Sequence, residues 1–282
     1  MSDYTVTVVG ATGKTGRHVA EQAVARGWRV RAAGRRAARH GEWAMLDWDD
    51  EDTWRPAFSG SDAAYVLTPF NHPGAPERTP HLLGVAASTG ASRIVLLSSL
   101  DADSAAEDSP LRLAERTLQA LPVHSAIVRP TWFLDNFTVG SFATMTWAGD
   151  LRLPAGNGTI PFVDVRDVAA VAVAALAPSG PQGVLPVTGH EQLSHDQVAA
   201  ALAAAFGRPI TYTDVDSEEF IGLLMARGFS RGYGQFLADA LREVAEGRLL
   251  IPASDTVERL TGRRPHDVID FARYHAAHLA VP

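Results

Sequence analysis

Three glycines spaced three residues apart make the loop Gly10–Gly16 the part of the sequence best suited to chemistry. An apolar, β-branched run precedes the loop over Thr5–Val9, and helix-spaced apolar residues follow it over His18–Arg26. Glycines let a backbone turn tightly and approach a pyrophosphate, whose charge is received by N–H groups at the helix start. This strand–turn–helix unit predicts a dinucleotide site. We expect its phosphate contacts from the following loop residues: Gly10, Thr12, Gly13, Lys14, Thr15 and Gly16.

Arginines stand where the next predicted strand, Arg29–Ala33, ends. Folds that select NAD usually place a carboxylate there to bind the adenosine ribose hydroxyls, and this chain has none at that point. Arg35 and Arg36, with Arg39 following, can instead clamp a 2′-phosphate. The pattern therefore favours NADPH/NADP+ over NAD, with a solvated arginine patch as the alternative interpretation.

Two further strand ends carry candidate cofactor contacts. Asp47 and Trp48 follow a short apolar run, where similar folds use an acidic residue for the adenine amino group and the next residue to back the ring. Thr68, Pro69 and Phe70 follow the continuously apolar run Ala63–Leu67, and ligands cross the carboxyl ends of such strands. Packing in the core is the alternative for Trp48. We prefer a core position for Trp54.

The catalytic residues are harder to assign because the expected acid is missing. Ser98 ends the buried run Arg93–Ser98, at the place of the catalytic serine in short-chain dehydrogenases, which add Tyr-x-x-x-Lys on the next helix. Here the next predicted helix, Leu111–Ala120, has no tyrosine, and the chain's single lysine is Lys14 in the glycine loop. We therefore expect Ser98 to contact the nicotinamide or a backbone turn. Catalysis stays unassigned, with three candidates: Ser98, His72 and Tyr233.

An aromatic segment follows the predicted strand Val123–Arg129. Pro130 is expected to direct the backbone over the nicotinamide, with Phe133 beside the ring. Candidate substrate contacts are Phe70, Trp132, Phe137 and Tyr233. An aromatic, water-poor pocket suits a flat organic substrate and can stabilise a cation. For Phe137, ordinary core packing is an equally good interpretation.

Strand-like and helix-like runs alternate through the first half of the chain, which predicts an α/β fold. We expect a Rossmann-type, doubly wound parallel sheet with a small C-terminal α/β substrate-binding region. The predicted nucleotide domain spans 1–150, with its last elements returning within 158–190, and 151–282 is mainly the C-terminal region. Ser194 and Gln197 fit a capping box, and Ser217 is expected to cap a further helix.

Composition limits the classes of partner. The chain has 282 residues, a net charge of −7 and no cysteine, which excludes disulfides and cysteine nucleophiles and gives no electrostatic case for nucleic acid. The ten histidines show no credible metal-ligand spacing, so we expect no metal. With no signal-like segment or membrane-length apolar run, we predict a cytoplasmic protein that does not bind membranes. Both a monomer and a homodimer remain open.

The glycine spacing and several downstream segments together resemble the NmrA-like, atypical branch of the short-chain dehydrogenase/reductases. More narrowly, the chain is similar to the ergot-alkaloid reductases, the agroclavine and festuclavine dehydrogenases. The segments that carry the resemblance are Leu46–Trp48, Glu51–Trp54, Arg129–Phe133, Gly158–Phe162, Leu193–Val198, Gly207–Thr211 and Leu260–Gly262.

This resemblance implies an NADPH-dependent reductase that delivers hydride to an imine or iminium, in secondary metabolism. Because an iminium carbon is already activated by its charge, the reaction needs no enzyme proton donor, which fits the missing Tyr/Lys pair. A conjugated acceptor, a quinone or enone, is included in the prediction. The resemblance also implies the alternative, a non-catalytic NADP(H)-binding redox sensor or regulator of the NmrA type.

Overall fold

The computed structural model describes residues 3–69, 72, 74–248 and 250–278. The chain divides into two compact units. Unit 1 comprises residues 1–130, 165–187 and 255–263, and unit 2 comprises 131–164, 188–254 and 264–282. Residues 131–150, which we predicted to end the nucleotide domain, thus fall in unit 2, and a short segment near the C-terminus returns to unit 1.

Eleven strands and eleven α-helices lie within the described ranges. The strands are β1 Thr5–Val9, β2 Arg29–Ala33, β3 Glu42–Ala44, β4 Ala63–Leu67, β5 Arg93–Leu97, β6 His124–Pro130, β7 Asp150–Leu153, β8 Thr159–Ile160, β9 Gly183–Val187, β10 Leu193–Ser194 and β11 Thr211–Asp214. The helices are α1 Gly16–Ala25, α2 Trp54–Phe58, α3 Ala75–Ser88, α4 Pro110–Ala120, α5 Ala143–Ala148, α6 Val165–Leu176, α7 His195–Phe206, α8 Ser217–Met225, α9 Arg231–Ala245, α10 Thr256–Thr261 and α11 Val268–His278. None of these helices combines the length and apolarity needed to cross a bilayer.

Unit 1 is built on a parallel sheet of seven strands, in the order β3-β2-β1-β4-β5-β6-β9 across the described residues. The central strands β4 and β5 are buried along nearly their whole length, as their continuous apolar runs predict for strands covered on both faces. Helices α1, α6 and α10 pack together in one group, and α2, α3 and α4 pack in another. The predicted doubly wound Rossmann-type fold is confirmed.

The order of connection reverses between β1 and β4. From β1 the chain builds outward to β2 and β3, then returns past β1 to form β4, β5 and β6 on the other side. Loops at the carboxyl ends of β1 and β4 therefore separate around a crevice, which is where doubly wound sheets bind ligands.

Unit 2 holds two short strand pairs and a separate apolar core. Strand β11 pairs with β7 in parallel, and β10 pairs with β8 antiparallel. The predicted capping box at Ser194 and Gln197 is confirmed by reciprocal hydrogen bonds. The predicted cap at Ser217 is wrong by one residue, because the carboxylate of Asp216 accepts the hydrogen bond from the Glu219 N–H. Asp216 provides the same chemistry one position earlier.

His195 lies inside the apolar core of unit 2. His195 is fully buried and packs against the rings of Phe137, Phe162 and Tyr212, at centroid distances of 5.9, 5.3 and 5.9 Å. Among the described residues neither of its ring nitrogens has a hydrogen-bond partner. Burial lowers the pKa of His195 from 6.5 to about 4, because the charged imidazolium would lose its hydration there.

This burial predicts an acid-sensitive unit 2. Between pH 6.5 and 4 the unfolded chain protonates His195 while the folded chain does not, so stability falls as the pH falls through that window. His195→Leu should reduce this loss by about 3 kcal/mol, measured by urea unfolding at pH 7 and pH 4. His190→Leu, at an exposed position of the same unit, is the matched control and should keep the wild-type pH dependence. An identical pH dependence in His195→Leu would contradict the assignment.

Candidate functional site

The loop between β1 and α1 is closed by backbone contacts that tolerate only glycine. Gly10 has φ +71°, and the Gly13 N–H donates to its carbonyl oxygen at 2.8 Å. A Cβ on Gly16 would lie 2.2 Å from that same oxygen, closer than real side chains ever approach. The first turn of α1 therefore rests directly on the loop. Such a cradle fits a dinucleotide, whose pyrophosphate needs close backbone approach at a helix N-terminus.

The start of α1 adds favourable electrostatics. Thr15 precedes the helix without capping it by its side chain, and the first turn has no acidic residue, so the helix end keeps its partial positive charge. Thr12 lies exposed on the loop, while Thr15 is 4% exposed. The Thr15 hydroxyl accepts a hydrogen bond from the buried Tyr65 at 2.9 Å, so its side chain faces β4. Burial raises the pKa of Tyr65, which stays protonated as a donor.

The predicted arginines follow β2 and are exposed. Arg35 and Arg36 extend from the carboxyl end of the strand, next to the point where the Trp43 indole donates to the Gly34 carbonyl at 2.9 Å. No carboxylate lies within the segment Gly34–Arg36. Two adjacent guanidiniums at this edge have the charge and donor geometry to bind a phosphate ester.

An ion-pair cluster lies near these arginines. Asp49 accepts from Arg78 at 2.7 Å and pairs with the His72 ring at 3.3 Å. The Arg78 hydrogen bond, with smaller contributions from His72 and Arg35, holds the pKa of Asp49 below its usual value. The contact places the His72 imidazole beside the loop that follows β3. It gives no support to the prediction of His72 as a catalytic residue.

Asp47 and Trp48 shape the loop after β3. The Asp47 carboxylate accepts from the Asp49 N–H at 3.1 Å, and its carbonyl accepts from the Trp54 indole at 2.7 Å. Trp48 is half-buried and meets Trp54 edge to face at 6.1 Å. Trp54 is fully buried, which confirms it as a core residue. Asp47 and Trp48 remain predicted adenine contacts.

The segment after β4 is described only in part. Thr68 is buried and its hydroxyl donates to Thr79 at 3.2 Å, while Pro69 is half-buried. Phe70, predicted to contact cofactor and substrate, lies outside the described residues.

Ser98, just after β5, belongs to a buried charged network. Its hydroxyl donates to the Glu115 carboxylate, which also receives Nε and Nη2 of Arg129 at 2.9 and 2.6 Å. Glu115 is 2% exposed and Arg129 is 6% exposed. The network joins the ends of β5 and β6 to α4. Pro130, the residue after Arg129, is buried at the end of β6. A bidentate guanidinium–carboxylate pair satisfies both charges inside the unit.

The sequence pattern alone does not assign Glu115 or Arg129 to the site. The spacing of Leu111, Glu115 and Leu118 on α4 does indicate that Glu115 lies on a buried helix face. A carboxylate on such a face requires a cationic partner. Since that partner is 14 residues away, spacing alone does not identify it.

The aromatic residues of unit 2 that are predicted to contact substrate differ in their exposure to solvent. Phe137 is fully buried and packs on Phe142 and Phe162, both at 5.5 Å, which favours the core-packing interpretation over substrate contact. Trp132 stacks on Phe142 at 6.4 Å and is only half-buried. Tyr233 is 37% exposed, and its hydroxyl lies 2.6 Å from that of Ser141.

Phe133 is half-buried and pairs with Val163 in an isolated β-bridge. Its predicted place beside the nicotinamide remains a prediction.

The fold and the glycine cradle define a dinucleotide-binding α/β protein, and comparisons with known proteins agree. Residues 10–178 match a family described as NAD(P)H-binding. An NAD(P)H azoreductase of Xenophilus azovorans is 31% identical over 289 residues, covering 96% of this chain and 98% of that protein. Festuclavine dehydrogenase of Aspergillus fumigatus is 30% identical, covering 82% of this chain and 83% of that protein.

Solved structures share the fold. An NADPH-dependent quinone oxidoreductase from Escherichia coli, complexed with NADPH, superposes with a TM-score of 0.78 at 22% identity, covering 96% of this chain and 99% of that chain. NmrA, a negative transcriptional regulator, superposes with a TM-score of 0.72 at 18% identity, covering 96% and 95%. The chain belongs to the NAD(P)H-binding family. The predicted resemblance to the festuclavine and agroclavine dehydrogenases is confirmed by relatives that are 30% identical, and the likeness to NmrA is one of fold.

Gly16→Ala should weaken dinucleotide binding. The added methyl group would collide with the Gly10 carbonyl, so the loop or α1 must shift, and we expect NADPH affinity to fall on the order of tenfold or more by calorimetric titration. Gly84→Ala is the control, since a Cβ there meets nothing within 4 Å. It should keep the affinity and stabilise α3 by about 0.5–1 kcal/mol. A folded Gly16→Ala protein with wild-type affinity would refute the cradle.

Proposed function

We propose that this protein is an NADPH-dependent reductase acting on an imine, an iminium or a conjugated acceptor such as a quinone or enone. The observation that carries the proposal is the combination of a glycine cradle with arginines after β2 and no Tyr/Lys pair beside Ser98. A bound NADPH supplies a hydride. The residues of this chain bind and orient the cofactor. An iminium then needs no proton after hydride addition, and a quinone or enone takes its proton from solvent.

The preference for a 2′-phosphate rests on Arg35 and Arg36. Both are exposed after β2, and the nearby acid Asp49 is already engaged by Arg78 and His72. A guanidinium binds a phosphate dianion through charge-assisted hydrogen bonds, whereas a ribose hydroxyl at the same point would favour a carboxylate. The name of the Escherichia coli quinone oxidoreductase, which includes NADPH, is consistent with this cofactor.

The missing tyrosine supports the proposed class of acceptor. Reduction of a ketone requires a proton for the developing alkoxide, and α4 has no tyrosine to deliver it. An iminium becomes a neutral amine on hydride addition and needs no donor, and a quinone or enone spreads its charge over a conjugated system. The names of the relatives include an azoreductase and a clavine dehydrogenase, which supports electron-poor, conjugated or cationic acceptors.

The candidate substrate contacts that lie within the described residues belong to unit 2. Trp132 and Tyr233 each present part of an aromatic surface, which suits a flat or cationic ring. Phe137 is omitted from this set because it is enclosed in the core.

A second candidate function is an NADP(H)-binding regulator. The same missing proton donor favours it, and NmrA shares the fold. A regulator of this kind would bind a protein partner differently with NADP+ and with NADPH. We prefer the enzyme because relatives of about 30% identity carry reductase or dehydrogenase names over most of the chain.

The double variant Arg35→Ala/Arg36→Ala tests cofactor selectivity. Loss of two charge-assisted contacts should weaken NADPH binding by about 30-fold or more and change NADH binding by less than about twofold. Arg273→Ala, an exposed arginine of α11, is the control and should bind both cofactors as the wild type does. If the double variant lost both cofactors equally, the arginines would not be reading the 2′-phosphate.

A substrate panel tests the reaction class. With NADPH as reductant, we expect absorbance at 340 nm to fall with a cyclic iminium, a quinone or an enone, and to stay constant with a simple ketone, which needs a proton donor. Protein that binds NADPH but oxidises none across the panel would contradict the reductase. In that case a pull-down that responds to NADP+ versus NADPH would support the regulator.

A further inference from the structure

We infer that Ser98 serves only as a hydrogen-bond acceptor toward the bound nicotinamide, taking the N–H of its carboxamide, and that Glu115 is the positioning residue that imposes this role. The inference rests on the proposed function, since it concerns the cofactor assigned there. It adds a direction to the contact, which determines what Ser98 can and cannot do in the reaction.

The hydrogen bonds of the network determine the direction in which the Ser98 hydroxyl donates. A carboxylate only accepts, so the hydrogen between Ser98 and Glu115 belongs to the serine hydroxyl. Both Arg129 contacts also donate to this carboxylate, so every hydrogen bond of the network points toward Glu115. Because a hydroxyl has one hydrogen and two lone pairs, Ser98 has only lone pairs left for another partner.

The position of Ser98 fits the nicotinamide half of the site. It follows β5, two strands from β1, on the side of the sheet opposite to β2, where Arg35 and Arg36 lie. A dinucleotide that crosses the reversal between β1 and β4 places its two halves over these opposite sides. With its adenosine end at the arginines, the nicotinamide end of a bound cofactor would lie on the side of β4, β5 and β6.

The carboxamide of nicotinamide presents both an N–H₂ donor and a carbonyl acceptor. Ser98, restricted to accepting, can bind only the N–H₂ group, and this selects one rotamer of the amide. The same restriction prevents Ser98 from donating to a substrate oxygen. The buried network therefore accounts for the missing oxyanion donor, and it agrees with a substrate that needs none.

Burial of the network makes this arrangement rigid. Ser98, Glu115 and Arg129 lie on three elements, the end of β5, α4 and β6, and each is at most 9% exposed. Breaking a buried pair leaves an unpaired charge, so rotation of the Glu115 carboxylate away from Arg129 is strongly unfavourable. The acceptor direction of Ser98 is thereby fixed before the cofactor binds.

The test uses equilibrium binding of two oxidised cofactors, NADP+ and its 3-acetylpyridine analogue. The analogue carries a methyl ketone in place of the carboxamide, so it has the carbonyl but no N–H. We expect Ser98→Ala to weaken NADP+ binding by about fivefold, the effect of one hydrogen bond, and to leave analogue binding unchanged. Ser98→Thr, which keeps the hydroxyl, should restore the discrimination.

Glu115→Gln tests the positioning residue in the same assay. The amide weakens the contact with Arg129 and can donate to Ser98, so the fixed acceptor direction is lost. We expect the folded variant, checked by circular dichroism, to lose most of the preference for NADP+ over the analogue. A merely structural role of Glu115 would lower both affinities together and leave their ratio unchanged.

The outcomes separate this inference from the proposed function. If the wild type bound neither cofactor, the proposed function itself would fail. If it bound both and Ser98→Ala weakened them equally, Ser98 would contact the carbonyl or act indirectly, and the acceptor assignment alone would be overturned. A folded Glu115→Gln protein with the wild-type ratio would remove Glu115 from the positioning role.

Discussion

The contact between the Gly16 backbone and the Gly10 carbonyl is the constraint on which the nucleotide unit depends. It lets α1 begin immediately above the end of β1, so that the helix covers the sheet and its positive end faces the loop. Any side chain at Gly16 would separate these elements. The close approach of α1 to the end of β1 therefore depends on the missing Cβ.

Arginine carries the buried positive charge in unit 1. Arg93 is 3% exposed and donates to the carbonyls of Ala175 in the last turn of α6 and of Pro178 and Gly180 just beyond it. Arg129 is buried against Glu115. A planar guanidinium with several donors satisfies many acceptors at once, whereas a lysine in the same place would leave some unpaired. Arginine is therefore the cation better suited to these two buried sites.

Sequence patterns predict the parts of this fold that depend on local order. Strands β1, β2 and β4 lie where their apolar runs indicate, and α4 differs by a single residue. Strand β3 and the short pairs of unit 2 were not predicted, because two to four residues are too few to show a period. Phe137 illustrates the other limit. The same sequence pattern is expected for an aromatic residue in a core and for one in a pocket. Only the packing of Phe137 against Phe142 and Phe162 shows that it belongs to the core.

The chain passes between the two units at residues 130/131, 164/165, 187/188, 254/255 and 263/264. Neither unit is therefore a contiguous stretch that a single cut can isolate. Truncation after residue 150 would delete β9, the edge of the sheet, together with α6 and α10. Exchange of the whole second unit between relatives, by recombination or in the laboratory, must transplant three segments at once. Changes of specificity in this architecture are therefore reached more readily by point substitution than by domain shuffling.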